Sequence, residues 1–101
     1  MRLTSRQSQI ICENAAKYFG PNAHIWLFGS RMDDQAKGGD IDLYIESPLD
    51  NPEDLVAAKL FFLRELHKAL GEQKVDVVLQ GGNMAELPIH RIAKQTGIEL
   101  Q

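Results

Sequence analysis

Between Asp40 and Glu46 the chain alternates without a break, Ile41, Leu43 and Ile45 against Asp40, Asp42, Tyr44 and Glu46. Side chains on a strand point to opposite faces in turn, so this stretch predicts a strand with one face for a core and one for chemistry. A fold built around it must cover the first face with helices and leave the second, with its carboxylates, accessible. Two other short runs fit beside it. His24 to Phe28, through Ile25, Trp26 and Leu27, reads as a buried strand that ends at Gly29-Ser30. Lys74 to Gln80 reads as another, with Val75, Val77 and Leu79 on one side, Asp76 and Val78 on the other, and Gly81-Gly82 after it.

Helix signals separate these strands. Thr4 and Gln7 have the spacing of a capping box, Ile10, Ile11, Ala15, Tyr18 and Phe19 follow at roughly helical intervals, and Gly20-Pro21 stops the helix. Asn51 is placed to cap a second helix, with Pro52 at its first position and Glu53 and Asp54 in its first turn. Its apolar positions are Val56, Leu60, Leu63, Leu66 and Leu70, and it ends at Gly71. Pro88 opens a third helix carrying Ile89, Ile92 and Ala93 and closed by Gly97, with Ile98 and Leu100 left as a short apolar tail. The polar stretch from Arg31 to Gly39 predicts a short helical turn and a loop. The expected fold is therefore α/β (α+β), a small mixed sheet of about three strands flanked by helices. With 101 residues it is read as a single domain, 1–101, too small for a second core.

Composition narrows the partners. Eleven basic against 14 acidic side chains leave a net charge of −3, without the basic excess that non-specific binding to a phosphate backbone requires. The lone Cys12 can close no internal disulfide and has no zinc-ligand spacing, and no run of apolar residues is long enough for a membrane span or a signal peptide. A cytoplasmic location is the expectation.

The candidate chemistry lies in the acids. Asp40 and Asp42 stand ~7 Å apart at their Cα atoms on one face of a strand and can lean towards a common point. Asp76, flanked by Val75 and Val77, reads as an ionised group in an apolar strand, costly unless something compensates it. Three such acids converging would repel one another, and a divalent cation is the simplest compensation, with all-oxygen ligands suiting Mg²⁺ or Mn²⁺. Taken alone, an Asp-x-Asp pair is also what a strand starting at a solvated edge shows. Gly29-Ser30 at the end of the preceding strand can cradle a phosphate, through close backbone approach and a hydroxyl beside the amides of a starting helix, or can be an ordinary turn and cap. Arg31 can reach a phosphate or stand as a surface charge, and Lys74 is a further candidate for a triphosphate. His24, His67 and His90 lack ligand spacing and read as helix, strand-edge or surface residues, while Trp26 and Phe61-Phe62 read as core packing.

Phe28-Gly29-Ser30, nine intervening residues, Asp40-Ile41-Asp42-Leu43 and then Asp76 in a later strand together resemble the signature of the DNA polymerase β-like nucleotidyltransferase superfamily, and of its minimal nucleotidyltransferase branch in particular. The resemblance spans nearly the whole chain. It implies the polymerase β-like fold and the transfer of a nucleotide, AMP from ATP, to an acceptor hydroxyl. It also implies two Mg²⁺ ions held by Asp40 and Asp42, with Asp76 completing the catalytic metal site, and a triphosphate gripped at Gly29 and Ser30. In this branch the domain is often the antitoxin of a HEPN-type ribonuclease toxin, so the resemblance implies a HEPN-type protein partner that receives the nucleotide. A contact-only antitoxin and a small-molecule nucleotidyltransferase are the alternatives. One departure is local: relatives often carry a second basic residue shortly after Gly-Ser-Arg, where this chain has Met32, Asp33 and Asp34.

Overall fold

The computed structural model describes residues 4–28, 41–71, 74–82 and 87–100. Along the chain these form α1 (Ser5–Phe19), β1 (His24–Phe28), β2 (Ile41–Glu46), α2 (Pro52–Leu70), β3 (Val75–Gln80), α3 (Pro88–Thr96) and β4 (Ile98–Glu99). The α/β expectation holds. Among the described residues the sheet has four strands rather than about three, in the order β3-β2-β1-β4, because the tail at Ile98 adds a strand antiparallel to β1. β1 is antiparallel to β2, and β2 is parallel to β3. A parallel pair needs a crossover connection, and α2 supplies it.

Local signals fix the helix ends. The Thr4 hydroxyl accepts from the Gln7 amide at 3.0 Å and the Gln7 side chain accepts from the Thr4 amide at 3.0 Å, the reciprocal capping box that the spacing predicts. The Asn51 side chain accepts from the Glu53 amide at 2.9 Å at the start of α2. Gly20, with φ at +108°, turns the chain from α1 towards β1 in a conformation that costs glycine nothing.

α1 and α2 pack against one another and against one face of the sheet. The core joins Ile11, Ala15 and Phe19 of α1 and Ala58, Phe62 and Leu66 of α2 to Ile25, Leu27, Ile41, Leu43, Ile45, Val75 and Val77 of the strands. The apolar row of β2 is thus core, as its alternation requires. α2 departs from the expectation: its buried side is Leu55, Ala58, Phe62 and Leu66, whereas Val56 and Leu60 are 58% and 63% exposed. From Leu55 to Leu63 this helix is apolar at every position but Lys59, so periodicity alone offers two stripes, and the one holding the large ring of Phe62 is buried. Phe61, read as core, is 47% exposed and stacks on Tyr18 at 6.0 Å. No helix among the described residues is long and apolar enough to cross a membrane.

Candidate active site

On the sheet face turned away from α1 and α2, one row runs across three strands. Phe28 of β1 is paired with Asp42 of β2, and Asp42 with Asp76 of β3. Residues in register on neighbouring strands share a face at the ~4.8 Å strand spacing, so Asp42 and Asp76 present their carboxylates side by side. The pairing is set by the row behind it, where Ile41 meets Val75 and Leu43 meets Val77 inside the core. A slip of one residue would put both acids into that core.

The environment of Asp76 corrects one expectation. Its side chain is 54% exposed, because Val75 and Val77 point to the opposite face, and flanking in sequence is not enclosure in space. Burial therefore creates no demand for a counter-ion. What remains is the mutual repulsion of two in-register carboxylates, and the Lys74 ammonium, 3.9 Å from the Asp76 Oδ2, answers part of it. Two acidic side chains on one accessible row form an all-oxygen donor pair of the kind that suits Mg²⁺ or Mn²⁺.

Further along the same face the surroundings change, and the whole polar row of β2 is not a reaction surface. Tyr44 is fully buried, with Trp26 at 5.3 Å and His90 of α3 stacked on it at 5.2 Å. Its phenol lies 2.7 Å from both Glu46 Oε2 and Gln80 Oε1. A phenol carries one proton, which goes to the Glu46 carboxylate; turning the Gln80 amide over lets it donate to the phenol oxygen in return. Lys94 of α3 closes the cluster with a 3.0 Å ion pair to Glu46 and lies 5.7 Å from the centre of the Trp26 ring. Burial pushes the Glu46 carboxyl up, but the Tyr44 hydrogen bond and the Lys94 charge outweigh it and hold the group below its usual value. His90, read as a helix or surface residue, is 1% exposed, and its Nδ1 accepts from the Leu87 amide at 3.1 Å, fixing the start of α3. No spacing pattern singles out this cluster, because Tyr44, Gln80 and Lys94 meet only once the strands pair and α3 docks. His24 does sit at a strand edge as read, 3.2 Å from Glu99.

Gly29, Ser30, Arg31 and Asp40, together with the turn and loop expected between Arg31 and Gly39, lie outside the described residues. Their chain neighbours Phe28 and Ile41 belong to the strand ends that carry the acid row. Among the described residues no group of three or more His, Cys, Asp or Glu side chains is placed to hold a metal ion. The accessible acid pair is therefore what the described residues bring together.

A family model described as a nucleotidyltransferase domain matches residues 5–99. No curated protein matches the chain.

Proposed function

Because the chain belongs to the nucleotidyltransferase domain family, we propose that it transfers AMP from ATP to an acceptor hydroxyl on a protein partner, as the cytoplasmic antitoxin of a HEPN/MNT pair. The observation that carries the transferase reading is the register Asp42 to Asp76, which sets two carboxylates side by side on the accessible face. Asp40, Asp42 and Asp76 are the proposed ligands of two Mg²⁺ ions, with Mn²⁺ as a substitute, and Gly29, Ser30 and Arg31 the proposed contacts of the triphosphate. Divalent cations bound there neutralise phosphate charge and lower the pKa of an attacking hydroxyl. The acceptor oxygen forms its bond to the α-phosphorus, the bond to the β-phosphate oxygen breaks, and pyrophosphate leaves. The exposed Asp76 carboxylate is the proposed base for the hydroxyl proton. Lys74, beside it, is a further candidate to contact the triphosphate.

A protein acceptor is supported by α3. This helix covers Tyr44 on the same sheet face as the acid row and leaves Leu87, Ile89 and Ile92 exposed at its outer side, a surface against which another chain can present its hydroxyl. Titration calorimetry with ATP tests the reading: binding should require Mg²⁺ and should weaken at least tenfold in Asp42→Asn. Equal affinity with chelator, or in that variant, rejects catalysis and leaves the contact-only antitoxin. With labelled ATP, Mg²⁺ and the protein encoded beside this one, the partner should gain the mass of AMP. Transfer to a small molecule, with none to any neighbouring protein, would instead favour the small-molecule transferase.

A further inference from the structure

The side of α2 opposite the core is neither polar nor covered. Leu55, Ala58, Phe62 and Leu66 face inward, and on the outward side Val56 and Leu60 form an apolar strip with Ala57. Phe61, stacked on Tyr18, extends it at one edge. Surface helices normally carry polar residues here. On the outward line of the helix Glu53 lies before the strip, and Arg64, with His67 beyond it, lies after it.

These positions have a simple geometry. Seven or eleven residues bring an α-helix back to within about 20° of the same line, so Glu53, Leu60, Arg64 and His67 fall along one edge, with Leu60 between the acidic Glu53 and the basic Arg64. We propose that two copies of this chain associate through α2, antiparallel, about a twofold axis at Leu60. In that arrangement Leu60 packs on Leu60 of the second copy, and Val56 and Ala57 cover the flanks. Glu53 of each copy meets Arg64 and His67 of the other. Within one chain Arg64 is only loosely engaged, 3.8 Å from Glu65 and resting over the Phe61 ring at 5.5 Å, and it can turn to a partner without leaving a buried charge behind. A parallel pairing would place like charges together, so the complementarity selects one orientation. A single helix pair is a small interface, and the association is accordingly weak and dependent on concentration. The inference is independent of the transfer reading, since neither Asp42 nor Asp76 belongs to this face.

Sedimentation velocity of the whole chain, from micromolar concentrations to about 1 mM, reads the association directly. Wild type should move from one copy to two across this range. Leu60→Asp, at an exposed position, should keep the circular dichroism of wild type and raise the dimer dissociation constant at least a hundredfold. Glu53→Lys should raise it several-fold, and the double variant Glu53→Lys/Arg64→Glu should recover most of the loss. A wild type that stays single at the highest concentration overturns the proposal. A dimer indifferent to Leu60→Asp, or a double variant no better than Glu53→Lys, overturns the antiparallel α2 contact.

Discussion

Asp42 and Asp76 occupy one register position on neighbouring parallel strands, and like charges placed directly across a sheet destabilise it. Fold and proposed site therefore pull against each other at this row. In the absence of divalent cation, Asp76→Asn should stabilise the protein by roughly 0.2–1 kcal/mol, less the part now returned by Lys74, and thermal unfolding should show it. The same substitution should reduce metal-dependent ATP binding, a trade of function for stability that a purely structural acid would not make. Glu46 behaves differently. Its folded pKa lies below the usual 4.5, so its ion pair with Lys94 and hydrogen bond from Tyr44 stabilise the fold above that pH and are lost as pH falls through the folded value. Unfolding measured across that acid range should fall less steeply in Glu46→Gln than in wild type. Strand parity made the placement of Asp42 and Asp76 on a non-core face legible in the sequence. It equally implied that Val75 and Val77 face away from Asp76, and reading those neighbours as an enclosure treated adjacency along the chain as adjacency in space. Tyr44 and His90 were not legible, because what buries them is the docking of α3.

Elements with strong end signals were the easiest to read from sequence: α1 by Thr4 and Gln7, α2 by Asn51 and Pro52. Thr4→Ala should cost about 1 kcal/mol, since it removes the acceptor for an otherwise unpaired helical amide, and denaturant unfolding measures the difference. The buried side of α2 was not legible, because Val56 and Leu60 repeat at helical spacing as faithfully as Leu55, Ala58 and Phe62 do. β4 escaped for another reason. A strand of two residues has no pattern, and its place depends on Gly97, where a Cβ atom would meet the Leu27 carbonyl oxygen at 2.7 Å. Gly97→Ala must push the turn off β1 and should cost about 1–3 kcal/mol. Trp26, the only tryptophan, pairs with Glu99 across that edge, so its fluorescence should change with the displacement.

The molecule as a whole rests on the contact of two helices with one sheet face, and Phe62 sits where α1 and α2 meet, fully buried with its ring 5.3 Å from that of Phe19. Phe62→Ala should cost about 3–5 kcal/mol, a large share of the roughly 5–15 kcal/mol expected of a domain this size. A denaturation midpoint close to native conditions is the expected result. The sequence supports the α/β class and the crossover by α2, but the order β3-β2-β1-β4 joins segments far apart in the chain and leaves no local trace. That order also sets a timetable. β1 and β2 emerge from the ribosome early and can pair at once, and β3 follows after α2, yet the outer edge of β1 waits for Ile98 and Glu99. Until those residues arrive Trp26 and Leu27 keep open hydrogen-bonding groups on that side. In that interval the nascent chain leaves one side of β1 unpaired beside its single indole, an open strand edge of the kind that invites pairing with other chains.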